Sequence, residues 1–382
     1  MQSLPVVIIV IWSMVLIINT PCQGDDNLIY GCYQKSNGAL RIVSDTSKCK
    51  RKELPIQWYQ SGGPQGPQGP QGPKGDTGAQ GPQGPPGPGV GLNPLQIALL
   101  RWYKANEVGI SYPAGTLPSD IVFDGECIWV AHTNSYTLTK IRTIDGANVG
   151  SYVLGGNVAG LAFDGVHIWA ANGSIVTKLR ANDGYNLGTF ALPGGACAQT
   201  TGVAFDGANI WVASGAGVTK LRASDGFNLG TFPAGNCPAG LAYDGENIWV
   251  ANYASIHVTK LRASDGTNLG SFHTDGGSPF KIAFDGSNIW VTNSDSANVT
   301  KLRPSDGVNL GVFPVGNGPQ GIAFDGTSIW VANFLSNSVS KLRASNGVNL
   351  GTFAAGSKPF GGAFDGVSIW ITNFDSNTLS KF

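Results

Sequence analysis

"FDGSNIWVTNSDSANVTKLRPSDGVNLGVF" occupies residues 284–313. Ile289–Asn293, Val299–Arg303 and Asn309–Phe313 are short runs rich in β-branched and aromatic residues, and Ile282–Phe284 supplies a fourth just ahead of them. Asp285-Gly286 and Asp306-Gly307 separate the first run from the second and the third from the fourth. Asp-Gly between two apolar runs is a strong local signal for a tight reversal. The pattern recurs, with tryptophans at Trp129, Trp169, Trp211, Trp249, Trp290, Trp330 and Trp370, at spacings of 40, 42, 38, 41, 40 and 40 residues. A fixed period of about 40 with four strands per unit is the signature of a blade, because one such sheet cannot cover its own faces and must stack on the next. No helix-length periodicity competes. Residues 106–382 therefore read as an all-β, seven-bladed β-propeller.

The seventh copy breaks off in "NTLSKF" (377–382), within its third strand. "RWYKANEVGISYPAG" at 101–115 parallels "RPSDGVNLGVFPVG" at 303–316, with Arg101 to Gly109 matching Arg303 to Gly311. Asn106–Tyr112 is thus expected to supply the outer strand of the last blade, which closes the ring and hides its edges.

Upstream of the repeats the chain changes character several times. Residues 1–24 hold an apolar core from Leu4 to Ile18, too short to cross a bilayer comfortably, and read as a secretory signal peptide cleaved before Asp25. Residues 25–62 read as a small β module: a hairpin from Leu28–Tyr33 and Leu40–Val43 about Asn37-Gly38, then a third strand in "PIQWY", held by a Cys32–Cys49 disulfide. Residues 63–89 contain eight unbroken Gly-X-Y triplets, Gly63–Pro86, which only a three-chain polyproline helix requires. This collagen-like stalk predicts a homotrimer. Residues 90–105 form a neck or linker.

Composition excludes some classes of function. Charged residues are 13% of 382 and the net charge is zero, so nothing argues for nucleic acid. Export places the protein outside the cell, secreted or on its surface, where disulfides persist. With the leader removed five cysteines remain. Cys197 and Cys237 lie in corresponding loops of adjacent blades and are expected to bridge, leaving Cys127 a free thiol.

Most charge in the repeats has a structural explanation. Twelve of the 20 Asp stand in the Asp-Gly turns, where a carboxylate bonds its own backbone. Lys-Leu-Arg in the third strands is expected to stack on Trp or pair with a turn Asp. The four histidines share no metal-ligand spacing, there is no nucleophile elbow and no phosphate loop, and no cofactor is expected. Subtracting the repeat leaves Asp120, Asp275, Lys281, Asp295, Lys358 and Asp375, with Tyr253, Phe280, Phe334, Phe360 and Phe374 in loops where other blades carry small residues. All fall on the face opposite the Asp-Gly turns. Asp120 and Lys281 replace the Gly of "PxGIAF" (Gly160, Gly202, Gly240, Gly321, Gly361) and should point at the channel mouth. Exposed aromatics among charges suggest a ligand-binding surface.

"WVTN" at 290–293 and "WITN" at 370–373 resemble the YVTN-type propeller repeat, a relative of the NHL repeat, over nearly three quarters of the chain. The N-terminal module and triplets resemble collagen-like stalks of bacterial surface proteins. Both resemblances imply architecture more than activity. With no enzyme motif found, the first reading is an exported, non-enzymatic binding or adhesion protein whose stalk-held trimer gains avidity for a glycan or protein ligand. The alternative is a lyase resembling virginiamycin B lyase, also a seven-bladed propeller, with a His/Glu cluster at the channel mouth. Glu107, Glu126 and Glu246 supply no clear counterpart to such a cluster.

Overall fold

The computed structural model describes residues 28–34, 39–43, 49–50, 53–59 and 110–382, the last span without 173, 195–201 and 216. The chain divides into two compact units, one of residues 23–108 and a larger one made mainly of 109–382.

In the smaller unit, β1 (Leu28–Gln34), β2 (Ala39–Val43) and β3 (Glu53–Tyr59) form an antiparallel sheet in the order β2-β1-β3. Tyr30 lies opposite Val43, and Gly31 opposite Ile56. The leader, the triplets and the neck lie outside the described residues.

The larger unit is a ring of seven four-stranded antiparallel sheets, in which sequence order runs from the channel outward. The strands of blade 1 are Pro118–Phe123, Cys127–His132, Thr137–Arg142 and Asn148–Val153. Those of blade 7 are Pro359–Phe364, Ile369–Asn373, Thr378–Lys381 and β4 (Ser111–Pro113), a segment that precedes blade 1 in sequence. β4 pairs Ser111 with Ser380 and Pro113 with Thr378, so the ring is closed by its N-terminal strand. Within the described residues the closing strand falls at the end of the expected stretch and one residue past it. Among the described residues there is no helix.

A recurring set of contacts holds each blade together and to the next. The first-turn Asp accepts two backbone N–H groups and the Trp indole. In blade 4, Asp244 receives Asn247 N at 2.6 Å, Glu246 N at 2.9 Å and Trp249 Nε1 at 2.7 Å. The Trp is sealed between blades: Trp129 of blade 1 packs on Leu161, Ile168 and Leu179 of blade 2. An aromatic from its own fourth strand covers it, as Tyr152 does Trp129 and Phe272 does Trp249. In blade 7 that aromatic is Tyr112 of β4, 5.3 Å from Trp370.

The third-strand Lys completes the set in six blades; in blade 6, Lys341 lies 4.5 Å from the Trp330 ring centre and 3.9 Å from Asp325. Lys220 lies 5.0 Å from the Trp211 ring centre and donates to the carbonyl of Ala263 in the next blade at 2.7 Å. Lys381 carries this contact across the seam to Thr143 of blade 1. In blades 1 to 5 the Arg two residues on from the Lys pairs with the second-turn Asp, as Arg222 does with Asp225 at 2.8 Å; blade 6 carries Asn346 there. The inner strands approach so closely that a Cβ at Gly321 would fall on the carbonyl oxygen of Phe360.

The cysteine expectation needs correction. Among the described residues no cysteine is free, and Cys127 is disulfide-bonded, as are Cys49 and Cys237. The expectation of a free thiol rested on Cys127 standing where other blades carry Asn, Ser or His, and the bonded sulfur lies fully buried in blade 1. Of the expected partners, Cys197 lies outside the described residues.

Candidate functional site: the loop face of the propeller

The antiparallel blades sort their connections onto two faces. Asp-Gly turns occupy one. Loops joining second to third strands, and each fourth strand to the next blade, occupy the other. β4 begins beside Ser380 and ends beside Thr378, at the loop side, where Ala114 N donates to Asn377 O. The chain therefore enters the ring from the Asp-Gly side, and the loop face points away from that entry.

At the centre of the loop face the two charges that replace glycine meet across the channel. Lys281 Nζ of blade 5 lies 3.1 Å from Asp120 Oδ1 of blade 1, and Asp120 Oδ2 accepts the Leu161 amide at 2.9 Å. They line a cavity of about 130 Å3 together with Gly202, Gly321 and Gly361. The pair closes the mouth with opposite charges held together. A larger space of about 560 Å3 lies on the Asp-Gly side between blades 5 and 6. Asp285, Lys301 and Arg343 line it, all members of the repeated structural set.

The five aromatics singled out in the sequence come together. Tyr253 of blade 4 meets Phe280 of blade 5 edge-on at 5.7 Å, and Phe280 reaches Phe360 of blade 7 directly at 5.7 Å. Phe334 of blade 6 and Phe374 of blade 7 complete a triangle with Phe360, with separations of 5.9, 6.2 and 6.1 Å. Edge-to-face and tilted geometry is what ring quadrupoles favour. Not all these rings are platforms. Phe280 is only 4% exposed and supports the others, whereas Tyr253 is 41% exposed. Phe334, Phe360 and Phe374 are half-buried.

The remaining charged residues divide. Lys358 joins the cluster: its ammonium lies 5.5 Å from the Phe334 ring centre and 2.8 Å from Asp375. Asp275 does not. Its carboxylate sits 2.7 Å from His273 Nδ1 and receives Asn309 Nδ2 at 2.5 Å, at the outer strands of blades 4 and 5. Asp295 accepts the Ser278 hydroxyl and braces the loop before blade 5. Asp275 and Asp295 sit on the right face but serve loop structure. The reason is local: both stand at tight bends, where a short carboxylate finds nearby donors first.

The histidines do not converge. His132 is buried, bonded between Thr116 O and Thr139 Oγ1, in the place where five other blades carry Asn and blade 3 carries Ser214. Burial lowers its pKa, outweighing the Thr116 carbonyl that favours the charged form. His167 lies on the Asp-Gly side beside Asp164. His257 stacks edge-on against His273 at 5.2 Å. Among the described residues no group of His, Cys, Asp and Glu could hold a metal ion. Sequence reasoning missed Leu335, which is 68% exposed next to Phe334. Its signal was present: a large aliphatic side chain in a loop where the neighbouring blades carry Ala254, Asp295 and Asp375.

No known family model matches the chain, and no curated protein does. Solved structures do. A streptogramin B lyase superposes with a TM-score of 0.60 at 16% identity, over 71% of this chain and 96% of that one. A catalytically inactive histidine-to-alanine virginiamycin B lyase from Staphylococcus aureus, with Quinupristin, gives 0.61 at 19%, over 71% and 97%. A hydrazine synthase from Kuenenia stuttgartiensis gives 0.61 at 14%, over 71% and 96%. At such identity the likeness shows the seven-bladed fold alone. It also overturns the expectation of a non-enzyme, which the absence of familiar motifs had suggested: this architecture is shared with lyases.

Proposed function

We propose that the loop face is a recognition surface for an extracellular ligand, a glycan or a protein, and that the chain is an exported binding or adhesion protein of the YVTN/NHL-like propeller type. The observation that carries this is the aromatic cluster spanning blades 4 to 7, with exposed Leu335 at its edge. Rings and aliphatic surface gathered on one sector, on the side away from chain entry, are the ordinary makings of an interface. The Gly-X-Y stalk would join three such propellers, so that weak single contacts add as avidity. The test is a glycan and protein-ligand screen with the mature chain, repeated with Phe334→Ala plus Phe374→Ala. Binding is expected to be lost with thermal stability nearly unchanged. Binding that survives this pair but is lost on altering the Asp-Gly face would put the site on the wrong side of the ring.

A second reading rests on the shared propeller. His273 is its candidate residue: the ring packs edge-on against His257, and Nδ1 accepts the Asp275 amide at 2.9 Å with that residue's carboxylate 2.7 Å away. A lyase acting on cyclic depsipeptide antibiotics would lose activity in His273→Ala. Turnover unchanged by that substitution, or none in the native chain, removes this reading.

A further inference from the structure

We infer that the loop face takes a cationic protein segment, one whose Lys or Arg enters a seat made by the Asp375 carboxylate and the Phe334 ring, with a neighbouring apolar side chain lying on Phe360, Phe374 and Leu335. The inference rests on the loop face being the recognition surface, and it names the ligand's chemistry.

The seat is already filled from within. Lys358 places its ammonium 2.8 Å from Asp375 and 5.5 Å from the Phe334 ring centre. That pairing of carboxylate and ring face is how a protein holds an organic cation. The two charged side chains are 41% and 39% exposed, so the internal ion pair is a surface pair of small net strength. A partner cation can replace it at little cost. Lys358 is also held in a left-handed conformation, with φ of 54°, fixed by its amide donating to the Asn337 side-chain Oδ1 and by its carbonyl accepting Phe374 N. The backbone stays in place whether or not the side chain leaves.

Charge selects the sign of the partner. Among the described residues, the charged side chains on this face outside the turns and third strands are four Asp (120, 275, 295, 375) and two Lys (281, 358), a net charge of −2; Asp120 pairs with Lys281 and Asp375 with Lys358, so the excess comes from Asp275 and Asp295 in the neighbouring loops. Such a field attracts a basic segment and repels an acidic one. The rings select protein over glycan. Phe334, Phe360 and Phe374 pack edge-on or tilted, and none carries a hydroxyl. They offer an apolar notch lined by an aliphatic edge, which suits a Leu- or Val-sized side chain better than a flat sugar ring that needs donors and acceptors around it.

The experiment uses the mature chain and two immobilised peptides, acetyl-Leu-Arg-Leu and acetyl-Leu-Glu-Leu, read by biolayer interferometry. The Arg peptide is expected to bind and the Glu peptide to bind far more weakly. Lys358→Gly, the residue blade 6 carries at this place as Gly318, vacates the seat without backbone strain and should tighten the Arg peptide about three- to tenfold. Asp375→Asn should abolish the preference for Arg over Glu. Equal binding of the two peptides, or Lys358→Gly binding the Arg peptide no better than the native chain, overturns the cation seat. The recognition surface is judged apart from this: if a screened ligand is lost with Phe334→Ala plus Phe374→Ala while the Arg peptide fails, the face stands and the cation seat falls.

Discussion

Each blade depends on one carboxylate. Asp244 holds two amides and an indole at once, and removing it leaves three donors without a partner at the buried edge of Trp249. Asp244→Ala should cost about 2–4 kcal/mol, seen as a fall in denaturation midpoint. Asp225→Ala, which breaks an exposed Arg pair and one exposed turn bond from the Phe227 amide, should move the midpoint far less. Acid should act in part through two carboxylates of the first kind, Asp164 and Asp325. Burial pushes the Asp164 and Asp325 carboxyls up, but bonds from Trp169 and Trp330, the neighbouring amides, and His167 or Thr327 outweigh it, so both pKa values lie below the usual carboxylate range. A depressed folded pKa gives stability that is fully present at neutral pH. It is lost as pH falls below the ordinary carboxylate value towards the folded one. Thermal melts between pH 7 and 3 should show this loss, and Asp164→Asn with Asp325→Asn should make the slope shallower. An unchanged slope would mean that other carboxylates govern acid unfolding.

At the scale of elements, closure is the least redundant contact. Tyr112 does for Trp370 what Phe272 does for Trp249, but from a strand of three residues. Tyr112→Ala should cost about 2–3 kcal/mol, and hydrogen exchange should quicken first at Thr378–Lys381. Faster exchange spread evenly round the ring would contradict this. Inner strands make a different demand. Gly321→Ala places a methyl on a backbone carbonyl that cannot turn aside, so about 1–3 kcal/mol should be lost. The repeat made these elements legible before any coordinates: tryptophan spacing set the number of blades, Asp-Gly set their hairpins, and the match of Arg101–Gly109 to Arg303–Gly311 pointed to the closing strand. The site was only partly legible. Departures from the repeat showed which side chains were surplus, and the five aromatics do converge. Which of them remain accessible depends on packing between blades far apart in sequence, and so Phe280 turned out buried. The same blindness hid the partners of Asp275: Asn309 lies in the next blade's outermost strand, 34 residues away.

At the scale of the molecule, the triplets argue for a rod of roughly 70 Å carrying three chains, with Lys74 and Asp76 able to pair between them. Light scattering should give a three-fold mass for the mature chain and a single mass for residues 106–382; a full-length monomer at micromolar concentration would sink the trimer. Because the chain joins the ring at β4 from the Asp-Gly side, a pull on the residues that precede Ser111 would be delivered lengthwise to β4. Tension would slide it lengthwise against Thr378–Lys381, loading its few rungs together rather than peeling them one by one, with Tyr112 wedged on Trp370 as the stop. When the stop yields, the other six blades remain continuous hairpins and the seam alone opens. The propeller behaves as a clasp whose weakest link is the place where it is tied.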